Sequence, residues 1–101
     1  MDFNEALGEV IREQRLAKKM TLRDVASAGF ISMGHLSDVE QGRKQGSSGF
    51  INAVANGLGV EAYELIIEAG FKMSAGTIPE TAEKIYERSR DWTDQYSDLA
   101  G

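Results

Sequence analysis

The sequence of 101 residues contains no cysteine, one histidine and one proline. The absence of cysteine excludes disulfides, thiolate metal sites and cysteine nucleophiles, and it is consistent with a reducing compartment. The single histidine, His35, excludes zinc sites built from several histidines. No apolar run approaches the roughly 20 residues that cross a bilayer, and residues 1–9 carry acids where a signal peptide carries bases. We therefore expect a cytoplasmic protein without metal, cofactor or membrane contact.

Positive charge is also scarce, because 11 lysines and arginines face 16 acids and the formal net charge is −5. Such a balance argues against nucleic acid as a partner, since phosphates bind to Lys and Arg. The distribution changes this interpretation. The stretch 12–44 is locally basic, whereas 80–98 is acidic. A small basic surface on an acidic body predicts DNA binding that weakens early as salt rises.

Five segments with a helical spacing of apolar residues indicate an all-α fold, with one domain over residues 1–73. The first helix is expected over 3–18 and the fifth over 61–69. Hydroxyl side chains are expected to cap the starts of the second, third and fourth helices, namely Thr21, Ser32 and Ser47 or Ser48. Asp24, three residues after Thr21, makes a near capping box.

Glycines are expected to end these helices, because glycine adopts the left-handed conformation at low cost. Gly29 would end the second helix and Gly42 the third, while Gly57 and Gly59 would interrupt the pattern after the fourth. The second and third helices, joined by a tight turn at Gly29, form a helix-turn-helix. In the third helix, Leu36 and Val39 are spaced to face the core, so the opposite flank is expected to face outward.

The stretch 21–42 resembles the Cro and phage-repressor (XRE) family of bacterial helix-turn-helix regulators. The matching positions are Ala26, Ser32, Leu36, Val39, Glu40 and Gly42. Over 31–48 and again at 69–73, the chain looks more narrowly like the actinobacterial Clp protease gene regulators (ClgR-like). The resemblance implies a five-helix domain that binds double-stranded DNA as a transcription regulator. It also implies activation of Clp protease genes if the narrower likeness holds. No enzyme is expected, because the sequence has no glycine-rich phosphate loop, no nucleophile with an identifiable base and no cluster of metal ligands.

The resemblance places the third helix, over 32–41, in the major groove. A helix about 10 Å across fits this groove, which is about 12 Å wide. Met33, Gly34 and Asp38 stand at the family's base-reading positions, where Met33 suits a thymine methyl and Asp38 a cytosine amino group. Four further contacts to phosphates are expected, from Arg23, Arg43, Lys44 and either Ser47 or Ser48. Flanking contacts are expected from Ser32, His35 and Ser37.

Three features allow other interpretations. Arg43 and Lys44 could form a solvated loop pair, although their place directly after Gly42 favours phosphate contact. His35 could be a pH switch or a catalytic base, but an exposed histidine at the groove or a phosphate is favoured, since no charge-relay partner is close in sequence. Glu40 suggests an acid catalyst, yet an internal ion pair with Arg15 is favoured.

Residues 74–101 are expected to form a hinge and a C-terminal helix. This helix carries a stripe with alternating spacings of four and three: Ile78, Ala82, Ile85, Ser89, Trp92, Tyr96 and Leu99. The stripe predicts a homodimer, which would set two DNA sites about 34 Å apart. It could instead pack on its own domain, or bind a protein partner as in an antitoxin or adaptor. A phage-type repressor is the other alternative, and residues 99–101 resemble the small apolar tails that Clp proteases recognise.

Overall fold

The computed structural model describes residues 1–74, which contain five α-helices. The helices are α1 (Phe3–Ala17), α2 (Leu22–Gly29), α3 (Met33–Glu40), α4 (Ser48–Leu58) and α5 (Ala62–Met73). The predicted five-helix, all-α fold is confirmed over this range, and α5 is longer than expected. The predicted C-terminal helix and its stripe from Ile78 to Tyr96 lie outside the described residues.

One apolar core joins the five helices. Its largest fully buried side chains include Leu7 and Ile11 of α1, Leu36 of α3 and Leu65 of α5. Burial of each such side chain contributes about 1.5–3 kcal/mol relative to leaving it in water. α1 packs mainly against α5, and α2 packs mainly against α4. The core therefore lies behind α3, which is held between α1 and α2.

The predicted caps are confirmed at all three helix starts. The Ser32 hydroxyl accepts a hydrogen bond from the His35 N–H at 3.2 Å, and the Ser47 hydroxyl accepts one from the Phe50 N–H at 3.2 Å. At α2 the box is complete, because the Thr21 hydroxyl accepts from Asp24 at 3.0 Å and the Asp24 carboxylate accepts from Thr21 at 2.9 Å. These bonds satisfy N–H groups that no helical turn can pair.

The capping box makes α2 sensitive to acid. The hydrogen bond from the Thr21 backbone, followed by that from its hydroxyl, lowers the pKa of Asp24 below its ordinary value of 3.8. Because the pKa is lower in the folded state, the ionised carboxylate stabilises the fold at pH values above the pKa of the unfolded chain. This stabilisation is lost as pH falls through the pKa of the folded state. We expect Asp24→Asn to lower Tm at neutral pH and to have a smaller effect at acidic pH.

Thermal unfolding followed by circular dichroism at both pH values measures this difference. Glu61→Gln is the control, because Glu61 precedes α5 but its side chain makes no capping hydrogen bond. An equal decrease of Tm by Asp24→Asn at neutral and acidic pH would contradict the role of the charged cap.

The prediction for Gly29 is wrong. The left-handed residue after α2 is Phe30, at φ 57°, and its N–H donates to the carbonyls of Ala26 and Ser27. Gly29 remains helical and buried because α4 passes close by. A Cβ on Gly29 would lie 2.4 Å from the carbonyl oxygen of Ala53, which is closer than Cβ atoms approach other atoms in proteins. The glycine therefore permits helix packing, and the 93% exposed Phe30 makes the turn.

The predicted interruption at Gly57 is also wrong. Gly57 lies inside α4, where a Cβ would be 2.6 Å from the Val25 carbonyl oxygen. Gly29 and Gly57 thus face each other where α2 and α4 approach. The expectations for Gly59 and Gly42 are confirmed, since these residues follow α4 and α3 with φ of 74° and 75°.

Within residues 1–74, no single helix is both long and apolar enough to cross a membrane. Only α4 and α5 taken together have that length and composition, and the chain bends by 106° at their junction.

Candidate nucleic-acid interface

α3 turns one flank toward the core and the other toward solvent. Leu36 and Val39 are buried, as the spacing predicted. The opposite flank carries five residues that we call the α3 ridge: Met33, Gly34, Ser37, Asp38 and Gln41. Met33, Gly34 and Gln41 are exposed, while Ser37 and Asp38 are half-buried. The ridge is therefore an outward surface of an otherwise anchored helix.

A bidentate ion pair anchors the C-terminal end of α3. Arg15 Nε lies 2.8 Å from Glu40 Oε2, and Arg15 Nη2 lies 3.0 Å from Glu40 Oε1. The same guanidinium donates to the Met20 carbonyl at 3.0 Å. The side chains are only 12% and 6% exposed, so water competes weakly for them. The hydrogen bond to Glu40 raises the pKa of Arg15 above its ordinary value. The predicted internal pair is confirmed.

A close backbone approach supports the same contact between α1 and α3. Gly8 is buried in α1, and a Cβ there would lie 2.4 Å from the Val39 carbonyl oxygen. Gly34 on the α3 ridge differs, because a Cβ there would meet only the Ser32 hydroxyl, at 3.8 Å. Packing within the chain thus requires glycine at position 8 and leaves room for a side chain at position 34.

His35 anchors the N-terminal half of α3. Its ring packs edge-on against Phe50 of α4, with centroids 4.5 Å apart and planes at 78°. The residue is half-buried, which differs from the exposed histidine that the sequence suggested. The ring therefore helps to hold α3 against α4, and contact of His35 with a phosphate stays a prediction.

Positive side chains lie at the C-terminal end of the ridge. Arg43 Nε is 3.4 Å from Asp38 Oδ1, and Lys44 Nζ is 3.5 Å from Asp38 Oδ2. Arg43 also donates to the Gln41 side chain. Ser47, which is exposed, caps α4 just beyond this loop. The sequence predicted Asp38, Arg43, Lys44 and Ser47 for the interface but missed the pairing of both bases with Asp38.

Further polar residues surround the ridge. Arg23, in the first turn of α2, is exposed. A shallow groove beside α3 is lined by Arg12, Arg15, Leu22, Ser37, Glu40 and Gln41. Arg12 is exposed and was not predicted as an interface residue, although it precedes Arg15 by three residues and so shares its helix face.

α5 presents a separate apolar surface. Tyr63, Ile66 and Met73 are exposed, whereas Leu65 and Ala69 are buried in the core. The spacing of three and seven residues places the exposed side chains on one face. We call this the α5 apolar face.

Comparisons with known proteins agree with this geometry. A helix-turn-helix domain family matches residues 6–65. The transcriptional regulator ClgR of Mycobacterium tuberculosis (strain H37Rv) is 36% identical over 70 residues, or 69% of this chain and 62% of the relative. The HTH-type transcriptional regulator DdrOP3 of Deinococcus deserti is 33% identical over 76 residues, or 73% of this chain and 59% of the relative. The chain thus spans less than two thirds of these relatives.

Solved structures show the same likeness. A crystal structure of the clp gene regulator ClgR from Corynebacterium glutamicum has a TM-score of 0.70 and 34% identity, and covers 92% of this chain and 95% of that one. The restriction-modification controller protein C.AhdI from Aeromonas hydrophila has a TM-score of 0.59 and 27% identity, over 61% and 94% of the two chains. This chain belongs to the Cro/repressor-type (XRE) helix-turn-helix family of transcription regulators and is close to ClgR.

Proposed function

We propose that this protein regulates transcription by binding double-stranded DNA as a homodimer, with the α3 ridge of each chain in the major groove. The observation that carries the proposal is the orientation of α3. Its inner flank is anchored by Leu36, by Val39 and by the Arg15–Glu40 pair. Its outer flank is accessible and lies beside two exposed bases, Arg43 and Lys44.

The ridge contributes two base-reading side chains in this proposal. Met33 contacts a thymine methyl, and Asp38 accepts a hydrogen bond from a cytosine amino group. Because two such contacts give modest direct readout, DNA shape supplies much of the specificity. The phosphates are bound by Arg23, Arg43, Lys44 and Ser47, and the flanking residues Ser32, His35 and Ser37 contact the groove edges.

The genes of Clp proteases are the proposed targets, with activation as the outcome. Similarity to a protein described as a clp gene regulator supports this choice. Nuclease footprinting on genomic fragments that carry clp promoters tests it. We expect two protected segments about one helical turn, or about 34 Å, apart. Protection of no fragment at about 50 mM salt would overturn the assignment, since nonspecific binding is strongest there.

The homodimer rests on the α5 apolar face and on the predicted stripe that follows it in sequence. An exposed apolar surface on a helix is commonly covered in an assembly. Sedimentation equilibrium with Ile66→Glu and with Trp92→Glu tests each region separately. We expect either charge to weaken association of the chains, with Phe30→Ser, which removes an exposed aromatic outside both regions, as the control. A wild-type chain that stays monomeric at micromolar concentration would refute the homodimer.

Gly34 provides a test that separates stability from DNA binding. A Cβ has space there in the isolated chain, so Gly34→Ala is expected to raise the free energy of unfolding by about 0.5–1 kcal/mol, because glycine is unfavourable inside a helix. The same methyl group would lie between α3 and the base edges. We therefore expect DNA affinity to decrease while stability increases.

Urea denaturation and fluorescence anisotropy measure these two quantities on the same samples. Ser27→Ala is the control, since Ser27 is an exposed residue of α2 outside the α3 ridge and the α5 apolar face, and alanine is the better helix former. It should also stabilise the chain and leave the affinity for DNA at the wild-type value. Full DNA affinity in Gly34→Ala would show that the backbone at position 34 does not approach the duplex closely.

A further inference from the structure

Asp38 is the only acid of the α3 ridge, and it stands between the two bases proposed to bind phosphate. Each of its oxygens faces one base, at 3.4 Å for Arg43 and 3.5 Å for Lys44. Gly42 turns the chain back over the end of α3, and the Arg43 N–H donates to the Asp38 carbonyl at 2.8 Å. The local backbone therefore keeps both bases beside this carboxylate.

The carboxylate resembles a phosphate in the two properties that matter here, negative charge and paired oxygen acceptors. DNA must consequently displace it before Arg43 and Lys44 can bind the backbone. Both bases are mostly exposed, at 62% and 56%, and Asp38 is 31% exposed. Ion pairs this accessible are weak and exchange readily, so they compete with phosphate without preventing its binding.

On the basis of the proposed function, we infer that Asp38 is an internal competitor of DNA phosphate that raises sequence specificity by weakening nonspecific binding. On an arbitrary duplex, Asp38 loses both cations, gains no partner and repels the nearby phosphates. On a duplex with a cytosine amino group at the right position, the released carboxylate accepts a hydrogen bond. The loss of the two ion pairs is therefore compensated only at a DNA site with a cytosine in this position.

Asp38→Asn tests this inference, because asparagine keeps the shape and removes the charge. Fluorescence anisotropy measures binding to a random-sequence duplex of about 30 base pairs and to the footprinted segment. At about 0.1 M salt we expect roughly five-fold tighter binding to the random duplex. Binding to the footprinted segment should not improve, so the ratio of specific to nonspecific affinity falls.

A double-mutant cycle identifies the cause. In the background Arg43→Gln with Lys44→Gln, the gain from Asp38→Asn on random duplex should fall below about two-fold, because the competed bases are absent. Glu61→Gln, which removes one exposed acid from the start of α5, controls for net charge and should give no gain.

The outcomes separate the two proposals. No gain on random duplex, an equal gain in both backgrounds or an equal gain from Glu61→Gln would overturn the role of Asp38. If the wild type still binds duplex and the double glutamine variant binds less, the proposed function stands in each of these cases. A wild type that binds neither duplex at about 50 mM salt would overturn the proposed function, and the role of Asp38 with it.

Discussion

Replacement of Glu40 by glutamine is expected to lower the free energy of unfolding by about 2 kcal/mol, because it leaves a partly buried guanidinium without its counter-charge. Arg15 is 12% exposed and makes two of its three hydrogen bonds to the Glu40 carboxylate. Glutamine offers one acceptor and directs an amide N–H2 toward the same cation. Urea denaturation with a wild-type m-value would measure the change as a shift in midpoint.

The same substitution at Glu13 is the matched control. Glu13 pairs with Lys72 at 2.7 Å, but its side chain is 62% exposed. Exposed pairs contribute about 0–1 kcal/mol, so Glu13→Gln should change stability little. The double variant Arg15→Met with Glu40→Leu should recover much of the loss, since an apolar pair leaves no buried charge. Equal effects of the Glu40 and Glu13 substitutions would contradict the anchoring role of the Arg15–Glu40 pair.

Simultaneous replacement of Arg43 and Lys44 by glutamine is expected to reduce DNA affinity at about 0.1 M salt by about 100-fold for each bound chain, and so by roughly 10⁴-fold for the homodimer. Each lost phosphate contact forgoes the release of about 0.9 counterion, which is a factor of about 8 at this concentration. Two contacts per chain therefore remove a factor of about 60, and repulsion by the unpaired Asp38 adds to it. The slope of log K against log salt should become shallower by about 2 per chain.

Anisotropy titrations on the footprinted duplex at several salt concentrations give both quantities. Lys18→Gln with Lys19→Gln removes the same charge from two exposed residues that follow α1 and are not predicted to contact phosphate. This control should leave most of the affinity and slope. Equal slopes for the wild type and the Arg43/Lys44 variant would show that these bases make no phosphate contact.

The sequence determined the parts of the fold that depend on close neighbours in the chain. Thr21, Ser32 and Ser47 were predicted as caps because each hydrogen bond spans three residues and needs no other element. The inward orientation of Leu36 and Val39 followed from helical spacing alone. Spacing and the family resemblance together predicted the five-helix architecture and the residues of α3 proposed to contact DNA.

The roles of individual glycines were decided only by the tertiary structure. Gly8 and Gly34 both lie inside helices, yet a methyl group is blocked at Gly8 by a carbonyl of α3 and has room at Gly34. Gly29 was predicted to make the turn but serves the contact between α2 and α4, so that Phe30 adopts the left-handed conformation. A glycine has the same local propensity in each case, and only the neighbouring helix distinguishes them.

The electrostatic arrangement of the ridge was likewise decided in three dimensions. Asp38, Arg43 and Lys44 were each expected to contact DNA, but their mutual pairing depends on the turn at Gly42, which reverses the chain beyond α3. His35 packs on Phe50 because α4 returns alongside α3. Local hydrogen bonds and periodicity can be inferred along the chain, whereas close approach and charge pairing require the distances between elements that only folding sets.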